Sequence, residues 1–245
     1  MIYIKTDNEI DLMREPCKIL KDALLLAEDK IAEGMTTGEL DKIIHDYILT
    51  YGATPSFLGL YGFPKSTCIS IDEQVVHGIP GDRVIKAGEI VSVDVGVYKN
   101  GFHGDAARSL YVGEISPEKK RLIDVTKESF FKGIEGICIG SPLGDIGNQI
   151  QTYVEANGFS VVRDMVGHGI GKEVHEDPQV PNFGRKGTGV RLRKNTTLAI
   201  EPMVNMGTYK VYINGWDCIT LDKLPSAHYE NTVVITDNGV EILTL

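Results

Sequence analysis

Two stretches of this chain can be laid over each other: Ile85-Lys86-Ala87-Gly88-Glu89-Ile90-Val91-Ser92-Val93-Asp94 and Leu192-Arg193-Lys194-Asn195-Thr196-Thr197-Leu198-Ala199-Ile200-Glu201. Each reads as a basic turn followed by an apolar strand that ends on a carboxylate. In each case a further carboxylate follows on the approach to a later strand, Asp105 in the first and Glu230 in the second. Two α+β halves, each offering a pair of acids to a shared centre, would produce this pattern. A chance likeness between two short strands competes with that reading.

Helical periodicity fills much of the remaining chain. Ile10, Met13, Cys17, Leu20, Leu24, Ala27 and Ile31 recur at three- and four-residue steps and predict an amphipathic helix, with a kink or break near Glu15 imposed by Pro16. Thr36 and Glu39 make a capping box ahead of a second helix, which carries Leu40, Ile43, Ile44, Tyr47 and Ile48 on one face and ends near Gly52. A third helix starts at Ser116-Pro117 and runs towards Glu135, and a fourth spans Leu143 to Asn157 and stops at Gly158. Strands are predicted at Thr67 to Ile71, Ile90 to Val97, Leu198 to Met203, Lys210 to Ile213 and Thr232 to Thr236. No low-complexity linker divides the chain, so residues 1–245 are expected to form a single domain.

Charge and cysteine usage exclude several classes. The 34 acidic against 25 basic residues leave a net charge of -9, which argues against free-standing nucleic-acid binding. No uncharged apolar stretch is long enough to cross a bilayer, and no secretory leader pattern opens the chain. Cys17, Cys68, Cys138 and Cys218 lie far apart and read as free thiols of a reducing compartment. A cytoplasmic protein is expected.

The chemistry rests on acids and histidines in unusual places. Asp94 lies inside the apolar run Ile90 to Val97, where a carboxylate is costly to bury unless it is paired or bound to a cation; alternation with Ile90 and Ser92 also allows an exposed face. Glu201 repeats the situation. Gly167-His168-Gly169-Ile170-Gly171-Lys172-Glu173-Val174-His175 is the strongest local signal, because three glycines let the backbone come close to a site. It is not the HExxH helix pattern, so a loop presenting each histidine separately is expected. His77 reads equally as a proton carrier or as a loop residue, while His45, His103 and His228 read as surface and Cys68 as packing. Should Asp94, Asp105, His168, Glu201 and Glu230 converge, their charge is too large for one ion. Two divalent ions roughly 3.5–4 Å apart would neutralise it and acidify a water, which points to a hydrolase.

Five segments appear in order along nearly the whole chain: Cys68-Ile69-Ser70-Ile71-Asp72-Glu73 leading to His77-Gly78-Ile79-Pro80; Gly101-Phe102-His103-Gly104-Asp105; Gly167 to Gly171 with His175-Glu176-Asp177-Pro178; Glu201-Pro202; and Glu230-Asn231-Thr232. This set resembles the type I methionine aminopeptidases. The resemblance implies an α+β pita-bread fold of two pseudo-symmetric halves, with a curved antiparallel sheet covered by helices and a dinuclear metal site at the centre. It also implies the short bacterial form without an N-terminal extension. The stretch from His168 to Glu201 is too short for the helical insertion of type II enzymes.

By the same resemblance, Asp94 binds one metal, Asp105 and Glu230 bridge both, and His168 with Glu201 complete the other. Glu201 is then the base that takes the proton of the attacking water, His77 contacts the scissile amide or leaving amine, and His175 stabilises the oxyanion. The substrate is the N-terminal methionine of nascent polypeptides, with a small second residue. The methionine pocket is expected to involve Phe57, Leu60, Phe63, Cys68 and Trp216. Phe57, Leu60 and Phe63 stand where many relatives have Cys and Tyr, and Val174 where Phe is frequent. His228 and Asn231 depart from the usual Gln and His beside the last ligand, which alters the setting of Glu230. Cobalt, manganese, iron and zinc all suit the ligand set. A monomer is expected, with a transient ribosome contact through Lys119-Lys120-Arg121 or through Arg191 to Lys194; both stretches read equally as solvated charge. The rival enzyme is an Xaa-Pro aminopeptidase or prolidase of the same fold, and the rival from another class is a non-catalytic pita-bread binding protein.

Overall fold

Two helices and a hairpin-centred sheet make the first half of the molecule. In the computed structural model, which describes residues 1–245, the elements are α1 (Asp7–Lys30), α2 (Thr37–Thr50), β1 (Thr54–Pro55), β2 (Thr67–Ile71), β3 (Gln74–Val76), β4 (Ile90–Lys99) and β5 (Phe102–Tyr111). Thr6 and Thr36 each accept the backbone N–H of the glutamate three residues on, and Glu9 and Glu39 reach back to the cap backbone. Both helices therefore open on a capping box, which satisfies donors the helix itself cannot. The long hairpin β4–β5 is antiparallel throughout, and β1 and β2 pair with the other edge of β4 at opposite ends.

The second half adds α3 (Pro117–Ile134), α4 (Gly144–Ala156), β6 (Ser160–Val161), β7 (Gly167–Gly169), β8 (Glu176–Val180), β9 (Thr197–Ile200), β10 (Met203–Asn205), β11 (Val211–Asn214), β12 (Asp217–Thr220), β13 (Ser226–His228), β14 (Asn231–Thr236) and β15 (Gly239–Ile242). Its main sheet is antiparallel, in the order β15-β14-β9-β7-β8. The hairpin β11–β12 reaches across to β3 in the first half.

The repeat seen in the sequence recurs in the packing. In β4, Val91 and Val93 bury against Leu20 and Leu24 of α1 and Leu40, Ile44 and Ile48 of α2. In β9, the matching Leu198 and Ile200 bury with Leu122 and Phe130 of α3 and Ile146 and Ile150 of α4. Successive strand residues face opposite ways. The residue after Val93 and the residue after Ile200, namely Asp94 and Glu201, therefore turn away from the helices and towards the other half. Backbone bonds close the seam: Glu230 N–H donates to Ala107 O at 3.0 Å, and Asp105 N–H donates to Thr232 Oγ1 at 2.9 Å.

Three expectations are corrected. α1 runs unbroken through Pro16. Pro16 is buried, and the carbonyl that loses its partner belongs to exposed Leu12, where water can replace the missing donor. The predicted strand from Leu198 to Met203 is two strands, β9 and β10, interrupted at Glu201-Pro202 because proline offers no ladder donor. Asp105 lies within β5 rather than ahead of a strand. No helix is long and apolar enough to cross a membrane.

Candidate metal centre and active site

Strand register delivers the first pair of acids. In the β4–β5 hairpin Asp94 lies opposite Ala107 and Asp105 opposite Gly96, so the two carboxylates sit diagonally on one face, each across from a small residue. The second half brings its ligands from three segments. His168 is on β7 beside Ala199 of β9, Glu201 follows β9 directly, and Glu230 precedes β14. The glycines around His168 do not form the expected loop: Gly167 to Gly169 is a strand inside the five-stranded sheet. They are required by close approach, since a Cβ on Gly167 would lie 2.3 Å from Ala199 O and one on Gly169 2.1 Å from Asp177 O. His175 does sit outside regular structure, just ahead of β8.

All five side chains converge. His168 Nε2 lies 3.6 Å from Glu201 Oε1 and 3.9 Å from Asp105 Oδ2. Donor atoms of Asp105, His168 and Glu230 fall within 4.8 Å of one another, and so do those of Asp94, His228 and Glu230. Asp94 Oδ1, Asp105 Oδ1 and Glu230 Oε1 are buried with no hydrogen-bond partner. Burial raises the Asp94 carboxyl to about 7. Burial first, then the repulsion of neighbouring carboxylates, holds Asp105, Glu201 and Glu230 well above the ordinary carboxylate range. Buried, unpartnered acids this close cannot all ionise without a compensating cation. Oxygen-rich donor sets with an imidazole suit divalent metals, so the residues present fit such ions. His168 Nδ1–H donates to Gly169 O at 2.9 Å, which leaves the Nε2 lone pair free as a ligand.

One cavity of about 520 Å³ is lined by every one of the twelve residues expected at the site: Phe57, Leu60, Phe63, Cys68, His77, Asp94, Asp105, His168, His175, Glu201, Trp216 and Glu230. Phe57, Phe63, Cys68 and Val174 form an apolar cluster with Leu60 and Trp216 packed against it, and Phe63 meets Trp216 edge-on at 5.0 Å. His77, held at φ 62 just beyond β3, faces the same indole edge-on at 6.1 Å. The His175 ring lies 4.5 Å from that of His168 and stacks on Tyr61 at 5.7 Å. Burial lowers the pKa of both His77 and His175.

The sequence reading missed several neighbours. Tyr61, Met165 and Gln179 line the cavity without any local signal that marks them. Lys5 is buried and pairs with Glu176 at 2.5 Å, while Glu176 also accepts the backbone N–H of Lys172 at 2.8 Å and so fixes the turn before His175. His228 is not a surface residue: it is buried, 3.7 Å from Glu230 Oε2, and its spacing of two from Glu230 in an extended stretch was the available signal. His45 and His103 are half-buried, bonded to Ser66 and Ser56 respectively. Of the two basic stretches, Lys119 is committed to Asp72 and Gly88 O, Lys120 to Asp124, Arg121 to Asn157 O, Arg191 to Gly140 O and Lys194 to Asp237, whereas the exposed Arg193 has no side-chain partner.

The sequence pattern of metallopeptidase family M24 matches residues 11–237. The chain is similar to the methionine aminopeptidase of Clostridium perfringens, 60% identical over 247 residues that cover 100% of this chain and 99% of that one. Its structure is similar to that of methionine aminopeptidase from Rickettsia prowazekii, with a TM-score of 0.98 at 42% identity over 100% of both chains. Likeness to prolidase from Pyrococcus furiosus is weaker, with a TM-score of 0.81 at 25% identity over 99% of this chain but 65% of that one. The two-halved pita-bread arrangement with acids at its seam is the fold of this chain, which belongs to metallopeptidase family M24.

Proposed function

We propose that the chain, acting as one catalytic domain over residues 1–245, removes the N-terminal methionine from newly made polypeptides by hydrolysis at a dinuclear metal centre. The observation that carries this reading is a single cavity whose one wall is acidic and ligand-rich and whose other wall is apolar and aromatic. An unbranched thioether fits the second wall and gains sulfur–aromatic contact with Phe57, Phe63 and Trp216. Identity and coverage favour methionine aminopeptidases over prolidases as the relevant relatives.

In this reading Asp94, Asp105 and Glu230 would hold one ion, and Asp105, Glu230, His168 and Glu201 the other. Bound divalent ions supply Lewis-acid polarisation of the scissile carbonyl and acidify water. Glu201 takes the proton of the attacking water and returns it to the leaving amine. His175, fixed by the turn that Glu176 organises, donates to the oxyanion that develops on the carbonyl oxygen. His77 hydrogen-bonds the scissile amide and steadies the leaving amine. Cobalt, manganese, iron or zinc would each satisfy the donors, with cellular availability deciding between them. A cytoplasmic monomer that prefers a small second residue completes the proposal. Any transient ribosome contact is directed to the stretch from Arg191 to Lys194, where the exposed Arg193 side chain has no partner within the chain.

The test is methionine release from a Met-Ala-Ser peptide by chelated protein, with and without added manganese or cobalt, beside an Ala-Pro-Ser control. Metal-dependent release with the control untouched is expected. Cleavage of the control alone would shift the reading to an Xaa-Pro peptidase, and inactivity on both would favour a binding protein.

A further inference from the structure

We propose that His228 is a sixth protein ligand of the metal centre, so that each of its two positions carries one imidazole. The proposal rests on the dinuclear reading above. His228 is 2% exposed, and its Nε2 has no hydrogen-bond partner. That nitrogen points between two carboxylates, 3.7 Å from Glu230 Oε2 and 3.9 Å from Glu201 Oε2. These separations are too long for hydrogen bonds, and a buried imidazole nitrogen rarely goes unpaired. The Glu230 separation does suit two donors that share one ion, because ligand atoms each about 2.0–2.2 Å from an ion lie roughly 3–4 Å from each other, while Glu201 belongs to the neighbouring His168 position.

The clusters support the same assignment. Asp94, His228 and Glu230 gather one donor atom each, as Asp105, His168 and Glu230 do, and Glu230 belongs to both. Each set is thus a hairpin carboxylate, an imidazole from the second half and the shared glutamate. The backbone explains why His228 is held there. Its N–H donates to Ser109 Oγ at 2.8 Å, and the Ser109 hydroxyl donates to the His228 carbonyl at 3.0 Å, which locks the residue against the strand that carries Asp105. A nitrogen donor at both positions raises affinity for iron, cobalt and zinc relative to manganese.

X-ray absorption of the wild-type protein loaded with two zinc ions counts the imidazoles directly: one per ion is expected, against one shared between two ions if His168 acts alone. Proton NMR of the cobalt-loaded protein should show two sets of hyperfine-shifted imidazole resonances. His228→Gln should remove one set, retain the His168 set, and weaken the second cobalt by about 100-fold or more, the upper end of what losing an outer partner costs. A single imidazole set that His228→Gln leaves unchanged overturns the proposal while the dinuclear reading stands. Failure of the wild type to take up two ions overturns both.

Discussion

The two halves of the molecule deliver similar chemistry by different means. In the first half one hairpin supplies both acids, and strand register alone puts Asp94 and Asp105 on a common face. In the second half the ligands come from three separate segments, around β7, after β9 and before β14. Their placement depends on glycine-permitted close packing, on the strand interruption at Pro202, and on the backbone bonds that tie Glu230 to Ala107. A hairpin resists distortion as a unit, because a slip of one residue would flip every side chain. A site assembled from three segments is only as exact as its seams. Substitutions in the second half should therefore cost more than matched ones in the first.

The largest effect is expected at the shared residue. Glu230→Ala removes the carboxylate common to both clusters and should lower kcat/KM by about 10³-fold or more, with both ions lost on dialysis. Asp94→Ala touches one cluster and should leave one ion bound, so metal content distinguishes the two.

Metal removal comes next. The unfolded carboxyls titrate near 4, whereas burial holds Asp94 at about 7 and the other three well above their ordinary range. Burial lowers the pKa of His77, His103, His168, His175 and His228, which opposes this trend below about pH 6.5; above that the native state of the chelated protein binds more protons than the unfolded state, so its stability falls as pH rises. Its thermal midpoint should drop by on the order of 10 °C from about pH 7 to pH 9, and added metal should restore more at the higher pH. A chelated protein whose stability rises over that range would contradict the buried-acid picture.

The tether between the halves ranks third. Lys5→Ala strands Glu176 without its buried partner and should cost about 3–5 kcal/mol in urea unfolding, with slower turnover through a loosened His175.

Two glycines, one in each half, give the most direct contrast. On Gly167 a methyl group meets the Ala199 backbone, which cannot give way, and should cost about 3 kcal/mol. On Gly96 it meets Ser56 Cβ at 2.7 Å and Phe57 Cε1 at 2.8 Å. The Phe57 ring can move into the cavity, so Gly96→Ala should cost about 1–3 kcal/mol and raise KM for methionine peptides more than it lowers kcat. Equal losses at the two glycines would remove the distinction between the halves.

Local pattern carried what local forces decide. The Thr36–Glu39 capping box, the Thr67–Ile71 strand and the third and fourth helices lie where sequence placed them, because caps, glycine stops and β-branched runs act over a few residues. The repeat held because matched strand faces pack on matched helix pairs. The break expected near Glu15 does not occur, because packing of the buried face of α1 outweighs one lost helix bond at an exposed carbonyl. The strand identity of Gly167 to Gly169 was hidden because those glycines answer to atoms of Ala199 and Asp177, which no window of sequence contains. His228 was placed on the surface although its two-residue spacing from Glu230 pointed inward. The motif resemblance supplied the convergence of distant acids, which spacing alone does not.

The shared centre at the seam is tested most directly by crystals of the manganese- or cobalt-loaded protein, measured at the absorption edge of the metal. Two anomalous peaks roughly 3.5–4 Å apart are expected, with Glu230 touching both, Asp94 and Asp105 on the hairpin side, and His168 and Glu201 on the other. A single peak held by one half alone, or none beside Glu230, would contradict a centre built jointly by both halves.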